Sequence, residues 1–296
     1  MSAIVYPLPG NEVVAHSLAA EIDGEIGKLV VRRFPDGESY FRYETPIDGR
    51  EVILVASLDR PDEKVLPVIF AAGTAKELGA SKVGLVAPYL AYMRQDKRFN
   101  PGEAVSSIYF AKVLSSWIDW LVTVDPHLHR RSSLDEIYSV PSATVHAAPL
   151  VSEWIRGAIS APLLIGPDSE SEQWVAAVAA DAGAPFVVLE KTRRGDRDVE
   201  VTVPEVDKWH DRTPVLVDDI ISTARTMIET VGHVRAAGLH APVCIGIHAV
   251  FADNAYAELK QAGAGEIVTC NTIGHDSNRI DISGLIASAV RRVLHI

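Results

Sequence analysis

One pattern constrains the fold of this chain more than any other. A helix-compatible stretch ends at a glycine, and a short run of β-branched residues follows. It appears as Ala71–Gly79 before Val83–Ala87, and as Ala176–Gly183 before Phe186–Leu189. It returns as Met227–Gly238 before Val243–Val250, and as Tyr256–Gly263 before Ile267–Thr269. A glycine in each of these places suits the left-handed residue that ends a helix. The runs are continuously apolar rather than alternating. Strands covered on both faces read that way, so the pattern predicts parallel sheets between helix layers. Further strands are expected at Leu29–Arg33, Val52–Ser57, Leu121–Val124, Leu163–Ile165 and Val215–Val217. Strands and helices alternating in this way predict an α/β architecture.

A chain of 296 residues has room for about two domains. Two similar halves are expected, 1–142 and 143–296, with the break near Pro141–Ala143 after a helix-poor polar segment, Arg130–Ser139. Asp281–Leu294 reads as a last amphipathic helix, able to pack on either half, with Asp281 or Ser283 near its start. Hydrophobic residues make up 48% and charged residues 23%, which excludes a disordered or low-complexity chain. The 28 Lys and Arg against 39 Asp and Glu leave a formal net charge of −11. That balance argues against nucleic acid as a partner, because such binding needs basic patches that displace counterions. A local anion site remains compatible with it. Cys244 and Cys270 lie in apolar runs without zinc-type spacing, as expected of reduced, buried thiols in a cytoplasmic protein. No stretch has the n- and h-regions of a signal peptide, and none approaches the roughly 18–20 apolar residues of a membrane span.

In open α/β sheets, ligands bind beyond the carboxyl ends of the strands. The segments expected there are strongly polar: Phe34–Glu38, Arg94–Arg98, Asp125-Pro-His127, Gly166-Pro-Asp168, Lys191–Arg193 and Asp218-Asp219. Acidic and basic groups gathered at one edge are what a magnesium–polyphosphate site requires. The most informative segment is Pro214–Met227, where an apolar strand delivers Asp218 and Asp219, then a turn with Ser222, Thr223 and Thr226 opens a helix. Backbone N–H groups at a helix start favour an anion, and the hydroxyls add hydrogen bonds. The acid pair is placed to accept hydrogen bonds from sugar hydroxyls, so a ribose 5-phosphate fits. The simpler reading is a capped helix with Ser222 or Thr223 as N-cap. Elsewhere, Pro35-Asp-Gly37 is a good turn, Arg94–Arg98 packs three cations around one acid, and Lys191–Arg197 reads as a basic hairpin loop suited to a mobile lid.

Asp218-Asp219-Ile-Ile-Ser-Thr-Ala-Arg-Thr226 resembles the phosphoribosyl-binding loop shared by type I phosphoribosyltransferases and ribose-phosphate diphosphokinases, the synthetases of phosphoribosyl pyrophosphate (PRPP). Phe34-Pro-Asp-Gly-Glu38, Pro88–Arg98 with its Tyr-x-Arg-Gln-Asp, and Asp125-Pro-His127 resemble motifs of the synthetases alone. The loop looks most like the archaeal-type branch. The resemblance implies two similar domains of the type I phosphoribosyltransferase-like fold, each a mostly parallel sheet flanked by helices. It implies transfer of the β,γ-diphosphoryl group of Mg·ATP to the C1 hydroxyl of ribose 5-phosphate, giving PRPP and AMP.

The same resemblance assigns roles. Phe34 stacks on adenine while Asp36 and Glu38 hold its polar edge, in a loop that reaches in from a neighbouring subunit of a homo-oligomer. Arg94, Gln95 and Asp96 bind ATP, together with His127. Asp125, His127 and Asp168 serve Mg2+. Lys191 and Arg193 stabilise the transferred group, while Asp218 and Asp219 hold the ribose. Ser222, Thr223, Ala224, Arg225 and Thr226 hold the 5-phosphate. His129 is expected to be an ordinary loop histidine. Two departures from the family pattern stand out: Ser169–Glu172 replaces glycines after Asp168, and Ala224-Arg225 stands where a glycine usually precedes the last Thr. They keep open an altered-specificity or non-catalytic paralogue. A type I phosphoribosyltransferase is the other alternative, although it has no need of Phe34–Glu38 or Arg94–Asp96.

Overall fold

The computed structural model describes residues 3–128, 130–167, 171–193 and 199–295. Contacts divide the chain into two compact units. The first holds residues through His146, then Thr272–Gly274 and the chain from Ile282 onward; the second holds Ala147–Asn271 and His275–Asp281.

The first unit begins β1 (Ala3–Pro7), α1 (Glu12–Glu21), β2 (Glu25–Ile26), β3 (Leu29–Arg33), β4 (Ser39–Tyr43) and β5 (Glu51–Val55). It continues α2 (Pro61–Glu77), β6 (Lys82–Ala87), α3 (Ser106–Ser115), β7 (Trp120–Val124) and β8 (Ser142–Val145). The second unit holds α4 (Ala148–Ala158), β9 (Pro162–Gly166), α5 (Glu172–Ala182), β10 (Phe186–Val188), β11 (Glu190–Arg193) and β12 (Val199–Thr202). It continues β13 (Thr213–Ile220), α6 (Arg225–Ala236), β14 (Val243–His248), α7 (Ala255–Gln261), β15 (Glu266–Cys270) and β16 (Asn278–Ile280). The last helix, α8 (Ser283–Leu294), returns to the first unit.

Each unit is built on a six-stranded sheet, in the order β2-β1-β5-β6-β7-β8 and β10-β9-β13-β14-β15-β16. Every pairing within them is parallel. The two orders are the same order. Each also carries a separate antiparallel hairpin between its second and third sheet strands in the chain, β3–β4 in one unit and β11–β12 in the other. The central strands are apolar and fully buried, for instance Val52–Val55 and Leu163–Ile165, as helix layers on both faces require.

Helix ends follow local chemistry. Pro61 opens α2 with Asp62 and Glu63 in its first turn, where acids favour the helix dipole. Gly183 closes α5 at φ 66°, a conformation that costs other residues free energy. One expectation changes here. Leu29–Arg33 is a strand, but it pairs antiparallel with β4 rather than joining the parallel sheet. Its run of three apolar residues followed by two arginines suits an exposed ribbon. Phe34–Glu38 is therefore the tip of a hairpin, not a loop at the edge of the large sheet. Pro141–Ala143 leads into β8, the edge strand of the first unit. Among the described residues, no helix is long and apolar enough to cross a membrane.

Candidate functional site

The carboxyl edges of both sheets concentrate unusual backbone. Of the eleven non-glycine residues with positive φ among the described residues, seven follow strand ends: Arg60, Tyr92, Asp125, His127, Ala224, Phe251 and Asp253. Such conformations cost about 1–3 kcal/mol each and persist where surrounding structure holds them.

In the first unit, β7 ends at Val124 and Asp125 follows it. Its N–H continues the ladder to Val145 O at 2.9 Å, and His127 N–H donates back to Asp125 O at 2.8 Å. The turn is tight, with φ 34° at Asp125 and 51° at His127. The Asp125 carboxylate is held by a residue the sequence reading did not single out: His146 Nδ1 lies 2.9 Å from Asp125 Oδ1. That hydrogen bond raises the pKa of His146 above the ordinary histidine value, against partial desolvation. His146 sits just after β8, and parallel pairing of β7 with β8 brings it beside Asp125.

After β6 comes the turn Tyr92–Arg98. Arg94 is exposed. Gln95 and Asp96 are tied into the unit. Ser106 Oγ donates to Gln95 Oε1 at 2.7 Å, and Ser107 Oγ donates to the Gln95 carbonyl at 3.0 Å. The Asp96 side chain, 2% exposed, accepts from Arg130 Nη1 at 3.1 and 3.2 Å. Arg131 Nη2 donates to the Asp96 carbonyl at 3.3 Å. Two arginines from the segment read as merely polar thus anchor this turn, which presents Arg94 outward.

At the β3–β4 tip, Phe34 N–H donates to Glu38 O at 2.8 Å, and Glu38 N–H donates to Asp36 Oδ1 at 3.2 Å. Phe34 is exposed, and the Arg32 guanidinium lies 4.7 Å from its ring centre and 4.3 Å from that of Tyr40. One ring face is thereby stacked on a cation.

In the second unit, β13 carries Asp218 and Asp219 to its carboxyl end, both half-buried, with Asp219 N–H donating to Asp218 Oδ1 at 2.9 Å. The turn that follows is laced to the segment after β14: Ile221 N–H to His248 O, Phe251 N–H to Ile221 O and Ala252 N–H to Ser222 O, at 3.1, 2.8 and 3.1 Å. Gly246 makes this packing possible, because a Cβ there would lie 2.6 Å from the Ile221 side chain. Neither Ser222 nor Thr223 caps α6. The N-cap is Ala224, at φ 56°, without a side-chain cap bond. Arg225 is the first helical residue, so the left-handed position falls on Ala224 and leaves Arg225 unstrained. Thr223, Arg225 and Thr226 are exposed around the first turn, and a narrow cleft bordered by Pro167, Asp218, Thr226 and Thr230 runs beside it.

Lys191 and Arg193 are strand residues rather than loop residues, paired with Val201 and Val199 across the β11–β12 ribbon. Asp168, His129, Ser169 and the tip Arg194–Arg197 lie outside the described residues.

No group of three or more His, Cys, Asp or Glu side chains able to hold a metal occurs among the described residues. Magnesium binds through one or two carboxylates plus substrate phosphates and retains waters. A hard carboxylate on a fixed strand end, such as Asp125, fits that demand.

Comparison with known proteins gives the family. Residues 4–117 match the N-terminal domain of ribose phosphate pyrophosphokinase, and residues 133–283 match the phosphoribosyl transferase domain. The ribose-phosphate pyrophosphokinase of Methanopyrus kandleri is 34% identical, over 93% of this chain and 94% of its own. That of Sulfolobus acidocaldarius is 31% identical, over 92% and 96%. This chain belongs to the ribose-phosphate pyrophosphokinase family. Its fold is also that of the phosphoribosylpyrophosphate synthetase of Mycobacterium smegmatis, with a TM-score of 0.85 over 100% of this chain and 99% of the other, at 23% identity.

Proposed function

We propose that this chain makes PRPP by moving the β,γ-diphosphoryl group of Mg·ATP onto the C1 hydroxyl of ribose 5-phosphate. The observation that carries this reading is the likeness to ribose-phosphate pyrophosphokinases along more than nine-tenths of the chain. The reading is supported by an acid pair and a left-handed turn at the end of β13, and by a first unit that retains Arg94 and Asp125 at strand ends. In the reaction the C1 oxygen bonds to the β-phosphorus. The bond from that phosphorus to the oxygen bridging it to the α-phosphorus breaks. AMP departs with the electron pair, and the hydroxyl proton is released.

The residues contribute position and charge rather than covalent chemistry. Asp218 and Asp219 accept hydrogen bonds from the ribose hydroxyls. The turn from Ser222 to Thr226 receives the 5-phosphate on the N–H groups that open α6. Arg94 pairs with phosphate oxygens through its planar fork, with Gln95 and Asp96 fixing the turn beneath it. Asp125 and His127, with Asp168, hold Mg2+, which neutralises phosphate charge when bound. Lys191 and Arg193 meet the charge that develops on the transferred group. Phe34, Asp36 and Glu38 receive adenine across a subunit boundary in a homo-oligomer. The protein works in the cytoplasm.

The test is to mix purified protein with Mg·ATP and ribose 5-phosphate and to follow the products by mass spectrometry. Equal amounts of AMP and PRPP are expected. ADP in place of AMP would mean simple phosphorylation and sink the proposal. ATP binding without product would mean a non-catalytic paralogue.

A further inference from the structure

The repeated topology places two crevices at equivalent points. In each sheet the strand order reverses between the first strand and the first strand after the hairpin: between β1 and β5, and between β9 and β13. Ligands of open α/β sheets bind at such reversals. In the second unit the crevice is the narrow cleft beside Asp218, with a volume of only about 10 Å³. Its counterpart in the first unit is a cavity of about 330 Å³. That volume is in the range of small-molecule sites.

Equivalence extends to the helix that opens beside each crevice. Ala224, the N-cap of α6, has φ 56°, and Arg60, the N-cap of α2, has φ 53°, both left-handed. The lining differs. Where β13 ends in an acid pair, β5 is followed by Ala56 and Ser57, so the grip on a sugar diol is missing. Instead Arg32, Arg33 and Lys64 line the cavity beside Glu63, and with Asp59 ion-paired to Lys64 the three cations stand against two acids. This is a local cationic site in a chain of net charge −11.

Two of these cations are fixed in place. Lys64 Nζ lies 3.1 Å from Ser57 O and 2.5 Å from Asp59 Oδ1. Pro67 lies inside α2 and has no N–H for the Glu63 carbonyl, which accepts instead from Arg33 Nη2 at 3.3 Å. Arg33 retains further donors, because a guanidinium carries five. The remaining wall is apolar, with Leu8, Val31 and Pro67.

We propose that this cavity of the first unit binds a small organic phosphate, its anionic head at Arg33 and Lys64 and its apolar body against Leu8, Val31 and Pro67. It is a second site, separate in residues from those assigned to the PRPP reaction, and does not rest on that assignment.

The test uses phenyl phosphate as probe on the full chain, with inorganic phosphate and phenol as controls for head and body. Hydrogen exchange should show protection by phenyl phosphate at residues 56–67, stronger than by either control. Calorimetry should show binding weakened about tenfold or more in Lys64→Met, the loss of one charge-assisted hydrogen bond, and unchanged in Thr226→Ala. Protection confined to residues 222–230, equal affinity in Lys64→Met, or no binding would each overturn the proposal. If Lys64→Met fails to fold, the exchange map of the unaltered chain decides alone. The PRPP assay reads independently of all these outcomes.

Discussion

Ala224 carries at φ 56° a conformation that glycine adopts freely. For an L-residue it costs about 1–2 kcal/mol. Ala224→Gly removes that strain but adds about 0.4–1 kcal/mol of unfolded-state entropy. The expected result is equal or slightly higher stability in a denaturant melt. Ala111→Gly, at a buried position inside α3, should by contrast lose about 1 kcal/mol. His275 gives a pH-dependent expectation. Ser277 N–H donates to its Nδ1 at 3.1 Å, and the ring packs 4.6 Å from Phe251 and 4.8 Å from Tyr256. Burial holds its pKa below the ordinary 6.5, with Asp276 opposing. The unfolded chain therefore takes up this proton first as pH falls. Stability is full above 6.5 and declines as pH drops from 6.5 toward the lower folded value. Between pH 7.5 and 5.5, Tm should fall further in the unaltered protein than in His275→Gln; equal falls would remove His275 as the cause. Lys191→Ala should cut kcat by orders of magnitude with a modest change in KM. An unaltered kcat would remove its proposed role. At this scale the sequence showed that Asp125, Asp218 and Asp219 stand at strand ends, because acids after apolar runs stand out against strand chemistry. It hid His146, Arg130 and Arg131, whose partners Asp125 and Asp96 lie 21 to 35 positions away. Only strand pairing and loop packing bring such groups together.

Elements were legible where a helix and a glycine framed an apolar strand. Those four strands and five more were expected from the sequence alone, and each lies where a strand is found. Seven of the described strands escaped: β2 with two residues and β16 with three give periodicity little to act on, β1, β4 and β8 lack the helix–glycine frame, and β11 and β12 form the ribbon read as a hairpin loop. Partner choice was harder to read than strand existence. β3 looks like a sheet strand but belongs to a ribbon, and Lys191 and Arg193 look like a loop but continue into one. Helix α8 is the clearest element-scale success, expected from Asp281–Leu294 and found from Ser283 to Leu294. Ile286, fully buried on its inner face, contributes most where it cannot be replaced by water. Ile286→Ala should destabilise the protein by about 2–5 kcal/mol in urea unfolding. Arg292→Ala, on the exposed side, should stay within about 0.5 kcal/mol.

The whole molecule is one topology written twice, with a difference in what each copy presents at its strand reversal. Duplication was readable from repeated helix–glycine–strand units. The exchange at the ends was not, because two amphipathic helices of similar kind, α4 and α8, each follow the last strand of a sheet. Helix α4 follows β8 of the first unit yet belongs to the second, and α8 follows β16 of the second yet belongs to the first. This arrangement sets the order in which the protein can be born. The ribosome releases all six strands of the first sheet by residue 145, but the helix that completes that unit begins at residue 283. At roughly 5–20 residues per second, translation leaves a gap of roughly seven to thirty seconds. Through that interval the first half waits with one apolar face uncovered, although it was made first. The second half has every element it needs as soon as β16 emerges. The later-made half of this chain is thus the one equipped to finish folding first.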